Sequence, residues 1–224
     1  MNSLIAACLL FLGMHWIVSG SPLRGYIVKH IDETLFKVLF SLIIFASLTW
    51  MALAFSTAPY LPTWGTAESL KPVSLVLMFF SFLLLSMSIF DKNPTLMGLV
   101  PPDQVTPRGI VRITRHAGLI GLGLWGLAHF IVNGDWASHL LFGTIAFEGL
   151  VAPMNLDRKY RARYGKSWNH FTAQTSYIPF AAIIAGRNTL KLNELNLWGA
   201  LIGLSLFIAS LYYHSTWFGV YPLP

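Results

Sequence analysis

Charge is scarce in this sequence. Only 11% of the 224 residues are charged, and just 9 are acidic. A soluble domain carries roughly 25%. With 55% hydrophobic residues and a mean hydropathy of +0.60, the composition excludes an ordinary soluble protein and implies an integral membrane protein. A chain of this length is about one domain, so residues 1–224 are read as a single membrane domain. Cysteine is nearly absent. The lone Cys8 excludes an internal disulfide and a thiolate cluster, and within an apolar run it reads as a small packed hydrophobe. Several motifs are missing: Walker loop, Gly-x-Ser-x-Gly, His-Glu-x-x-His and Cys-x-x-Cys-His. Their absence gives no support to covalent haem attachment or zinc-protease chemistry. No internal repeat or low-complexity segment is present.

What the chain does have is apolar runs. Six are candidate spans: about 3–18, 37–56, 73–90, 117–133, 138–154 and 197–214. The first has no basic residue ahead of it and no small-residue cleavage site, so it is expected to be a real helix rather than a cleaved signal peptide. The net charge of +6 is distributed by loop. Of 15 cations, 14 fall in the first, third and fifth connections, and only Lys71 lies in the second. By the positive-inside rule those three loops face the cytoplasm. The expected fold is therefore an all-α polytopic membrane helix bundle of about six transmembrane helices, with both termini on the non-cytoplasmic side. The basic residues serve topology, and no nucleic-acid partner is expected. The lipid bilayer is the expected partner.

The central stretch runs from Arg115 and His116 to His129, with Gly118, Gly121, Gly123 and Gly126 between. Glycine weakens a helix unless a neighbour needs the space. In a membrane that neighbour is a packed helix, or here a flat cofactor. His15 and His129 fall inside spans, and ionisable residues there are candidates for function. A neutral imidazole is a good axial ligand for haem iron. The alternative is a histidine hydrogen-bonded to a backbone carbonyl. His116 and His129 are 13 residues apart, about 20 Å along a helix, and cannot ligate one iron. A depth count separates His15 from His129 by roughly two turns.

Glu148 lies midway in the fifth span, where a bare carboxylate is costly. It is expected to be protonated, paired, or bonded to a polar group such as His139. It could relay protons or orient a ligand histidine, or mark the end of a short helix. The segment Arg158 to Arg163 is either an anchor on anionic lipid or an anion site beside Arg115 and His116. Trp16, Trp50 and Trp125 read as packing residues. Residues 181–185 form a piece that could dip into the membrane surface.

Several of these residues together resemble a known family. They are His15 with Ser21-Pro22-Leu23-Arg24, then Asn93-Pro94-Thr95 and Thr114-Arg115-His116. Leu124-Trp125-Gly126-Leu127-Ala128-His129 follows, then Asn133-Gly134-Asp135, Thr175 to Phe180, and Gly186-Arg187. Over nearly its whole length the chain resembles the NnrU membrane proteins and, through them, the zeta-carotene isomerases. The resemblance implies a role in denitrification and nitric oxide metabolism, or isomerisation of a polyene. It also implies a b-type haem held between two histidines, which match His15 and His129. An apolar small molecule and a redox partner are then expected. Ala117 stands where the family's usual proline follows Arg-His. A fainter similarity, through Arg115-His116, Tyr164-Gly165 and a later Ile-Pro, is to membrane methyltransferases. These bind S-adenosylmethionine at the cytoplasmic face. Asp157 is then the nearest match to their acidic residue. A third reading is a non-enzymatic assembly or transport partner with structural histidines.

Overall fold

The computed structural model describes residues 1–96 and 100–224. Among them the chain is almost entirely helical. Helix α1 (Asn2–Gly13) runs directly into a π-helical turn at Met14–Val18. After Pro22 the chain re-enters a helix, α2 (Leu23–Ile31), at an angle of 83°. Asp32 then reverses the chain at a positive φ of 63°. Its carboxylate caps α3 (Glu33–Ser56) by accepting from the Thr34 and Leu35 amides at 2.6 and 3.0 Å. Strand β1 (Pro62–Thr66) leads to α4 (Lys71–Phe90). The short α5 (Ile110–Ile113) precedes α6 (Ala117–Val132), β2 (Asn133–Asp135) and the long α7 (Trp136–Tyr164). Helices α8 (Lys166–Gln174) and α9 (Ala181–Ile184) lie between α7 and α10 (Leu197–Phe218).

Among the described residues four helices are long and apolar enough to cross a membrane, and the bent pair at residues 2–31 makes five if it is one span. This is fewer than the six apolar runs suggest. The difference lies in α6, apolar throughout but only 16 residues long. At 1.5 Å per residue it covers about 24 Å, short of a hydrocarbon core of about 30 Å. Helix α6 instead packs between α4 and α7, and glycine makes the approach possible. A side chain on Gly126 would meet the Ala146 nitrogen of α7 at 2.5 Å, and one on Gly121 would meet Ser81 of α4 at 3.0 Å. Gly123 and Gly149 face each other backbone to backbone. The room that these glycines leave is taken by neighbouring helices rather than by a flat cofactor.

Two connections read as separate loops are joined. β1 and β2 pair antiparallel, with Gly65 opposite Gly134 and Thr66 opposite Asn133. The strand pair closes one end of the bundle. At the other end, Trp168 and Phe171 of α8 fold under α4 and α7 in an apolar cluster with Met87, Val111 and Tyr160. A second cluster joins α1, α3 and α7 through Leu4, Phe11, Met51 and Ile145.

Candidate functional site

The register of the helices decides whether His15 and His129 can meet. Helices α1 and α7 run parallel: Cys8 Sγ reaches the Leu140 carbonyl at 3.6 Å, and Trp16 Nε1 donates to Glu148 Oε2 at 2.9 Å. His15 thus lies level with position 147. Helix α6 runs antiparallel to α7, with Gly123 against Gly149 and Gly126 against Ala146, so His129 lies level with position 143. Four residues of helix are about 6 Å, or about one turn. Helical side chains lean toward their own N-terminus. On parallel α1 that carries His15 toward position 143, and on antiparallel α6 it carries His129 toward 147. The two rings converge in depth, and the gap of two turns counted from sequence does not hold.

Each ring is held in the same way. His15 Nδ1 bonds the Phe11 carbonyl and His129 Nδ1 bonds the Trp125 carbonyl, both at 2.9 Å. With the proton on Nδ1, each Nε2 keeps its lone pair. His129 is stacked on Phe142 with centroids 4.7 Å apart and lies 4.4 Å from the Trp125 ring. His15 lies 4.5 Å from Phe11 and 5.3 Å from Phe40. Phe11, Trp125 and Ile145 belong to one apolar cluster beside the two imidazoles. His15 also sits in the π-helical turn, a deviation that often marks a functional position.

Glu148 is buried and bonded to a polar group, as expected, but that group is not His139. His139 bonds Thr63 Oγ1 at 2.8 Å. Glu148 accepts from Trp16 and lies 3.9 Å from His15 Nε2. Trp16 is therefore more than a packing residue, and the carboxylate faces a histidine on another helix. Among the described residues no group of three or more His, Cys, Asp or Glu could hold a metal ion. A haem clamp needs only two imidazoles, and the two free Nε2 atoms have the donor chemistry for it.

Arg115 and His116 form a second constellation with Asp157. Arg115 donates Nε to Asp157 Oδ1 at 3.0 Å and Nη2 to Oδ2, while His116 Nε2 donates to Oδ1 at 2.8 Å. Asn93 Nδ2 and Thr95 Oγ1 both donate to the Arg115 carbonyl, at 2.9 and 2.5 Å. Burial pushes the His116 imidazole below its ordinary value, against the opposing pull of Asp157. The ring is thus neutral at pH 7, and its buried Nδ1 has no hydrogen-bond partner among the described residues. Both side chains read as a cofactor site are thus engaged with Asp157.

The remaining candidates act on the backbone. Asn133 Nδ2 donates to the His129 carbonyl at 2.8 Å. Asp135 caps α7 by accepting from the Ser138 amide at 3.0 Å. Trp125 packs against His129 and Phe142. Phe142 had no signal in the sequence, since one phenylalanine in an apolar run is like any other.

The architecture is that of a multi-pass helical membrane protein. A family model described as NnrU protein matches residues 3–222, and the chain belongs to the NnrU family. It is similar to the chloroplastic 15-cis-zeta-carotene isomerase of Arabidopsis thaliana, 32% identical over 206 residues, which are 83% of this chain and 52% of that protein. It is also similar to the chloroplastic 15-cis-zeta-carotene isomerase of Zea mays, 34% identical over 112 residues, which are 50% of this chain and 31% of that protein. The chain thus spans about half the length of the Arabidopsis relative that it matches. No solved structure matches.

Proposed function

We propose that this protein binds a b-type haem between His15 and His129 and isomerises an apolar polyene. The convergence in depth of the two imidazoles, each with a free Nε2, carries the reading. Family membership supports it, as does the similarity to two zeta-carotene isomerases. A haem held by His15 and His129 would supply an iron able to exchange a ligand and to change its charge by one electron. The chain's own residues would do the rest. The Phe11 and Trp125 carbonyls hold the imidazole orientations. Glu148, 3.9 Å from His15 Nε2, would orient that imidazole. Phe40 and Phe142 give the site apolar walls. The apolar cluster with Phe11, Trp125 and Ile145 must open to admit a macrocycle. A redox role linked to nitric oxide and denitrification would use the same two histidines. This reading goes with a bacterial inner-membrane location and, by the positive-inside rule, basic loops in the cytoplasm.

An absorption spectrum of the purified protein tests the reading. A Soret band is expected in the wild type and is lost in both His15→Ala and His129→Ala. Conversion of a 15-cis polyene, followed by chromatography, should be lost in the same variants. Persistence of the Soret band in both would sink the clamp.

A further inference from the structure

We propose that a shallow basic cavity beside α8 and α9 binds the phosphate of an anionic phospholipid, with Ile178 and Ile184 against its acyl chains. The cavity holds about 370 Å³, and Arg115, Arg161 and Arg187 line it together with Thr172, Thr175 and Ser176. No acidic residue lines it. The Arg115 charge is cancelled by Asp157. The other two guanidiniums are not cancelled. Arg161 makes no ion pair or side-chain hydrogen bond among the described residues. Arg187 is fixed through Nη1 to the Thr172, Ala173 and Thr175 carbonyls, at 3.1, 2.8 and 3.1 Å. Those are neutral acceptors, so the full charge remains, with other guanidinium N–H groups to donate. The Thr172 and Thr175 hydroxyls donate to the Asn169 and Phe171 carbonyls, so the two uncompensated guanidiniums carry the phosphate site.

The surroundings select a lipid over a soluble anion. Ile178 on the cavity wall is 63% exposed, and Ile184 at the end of α9 is 85% exposed. Large apolar side chains left bare beside arginines match the bilayer interface, where tails and headgroups meet. The turn that presents them is fixed. Phe180 takes a positive φ of 65°, uncommon for a bulky residue, and its amide donates to the Ile113 carbonyl at 2.8 Å. The segment is also tied to the span ends. The Arg115 amide donates to the Ser176 carbonyl at 3.0 Å, and the Tyr177 hydroxyl donates to the Leu150 carbonyl. These ties put the cavity beside the start of α6 and against α7. The proposal is independent of the haem reading.

Lipid retention on the full-length protein, purified in detergent and read by native mass spectrometry, tests it. Phosphatidylglycerol and phosphatidylcholine with identical acyl chains are the probes, with inorganic phosphate as the soluble comparison. The wild type should retain phosphatidylglycerol preferentially. Arg161→Gln should reduce that preference about fivefold, as expected for one cation near a lipid surface. Arg163→Gln, away from the cavity, should leave it unchanged. Ile184→Ser should weaken retention of the lipid and not of inorganic phosphate. Equal retention of both lipids by the wild type overturns the proposal, and so does an unchanged preference in Arg161→Gln. Inorganic phosphate held as tightly as the lipid would make it a soluble-anion site, which also overturns it.

Discussion

Arg115 and Asp157 are 42 residues apart in sequence and meet through two parallel hydrogen bonds where α6 begins. The pair is nearly buried, at 11% and 17% side-chain exposure. His116 shares the same carboxylate. Removing one partner strands a charge in a poorly solvated place. Asp157→Ala is expected to destabilise the protein by about 3 kcal/mol, the low end for breaking a buried pair. Arg115→Met with Asp157→Leu should recover most of that loss. Thermal unfolding of the purified variants in one detergent checks both. A double variant no better than Asp157→Ala would show that the network does more than balance charge.

His116 gives the protein a dependence on pH. Burial holds its pKa below the ordinary 6.5, so the unfolded chain takes up a proton at a pH where the folded chain does not. Stability is then complete above about pH 6.5 and falls as the pH drops below it. His116→Gln should flatten the slope of melting temperature against pH between about 6.5 and 5. A slope equal to that of the wild type would assign the acid sensitivity to other groups.

Two helical glycines, Gly149 of α7 and Gly13 of α1, make opposite predictions. A methyl on Gly149 would run into the Gly123 backbone, whereas nothing lies within 4 Å of one on Gly13. Gly149→Ala is expected to cost about 1–3 kcal/mol through overpacking. Gly13→Ala is expected to be neutral or to stabilise by up to about 1 kcal/mol through helix propensity. Unfolding midpoints of the two variants, measured side by side, decide it.

Much of this was legible in the sequence, because the signals were local. Apolar runs marked the helices, and the rarity of charge marked the membrane. His15, His129 and Glu148 stood out as polar residues in apolar company. What was hidden depends on register. No sequence pattern says that Cys8 faces Leu140 while Gly126 faces Ala146, and those pairings set the two histidine backbones about one turn apart in depth. The pairing of Pro62–Thr66 with Asn133–Asp135 was hidden for the same reason. The sixth apolar run, α6, is only 16 residues long and packs between α4 and α7, a length and a placement that apolarity alone does not reveal. A polar partner for Glu148 is expected from its place in an apolar span, but that the partner is Trp16 on α1 cannot be inferred from spacing.

Asp135 sorts structural from chemical roles among the polar residues near His129. Its Oδ1 accepts from the Ser138 amide at 3.0 Å, and its Oδ2 accepts from the Ser138 hydroxyl at 2.5 Å. The residue also pairs with Pro62 in the strand register. It is 7% exposed, so water cannot replace the cap. Asp135→Ala should cost about 1–2 kcal/mol, as removal of a helix cap does. Asp135→Asn keeps an acceptor at the same place and should lose only a fraction of that. Neither variant removes an imidazole, so neither should abolish a Soret band in the purified protein. Loss of that band in Asp135→Asn, with the melting temperature unchanged, would move Asp135 from the helix end into the binding site.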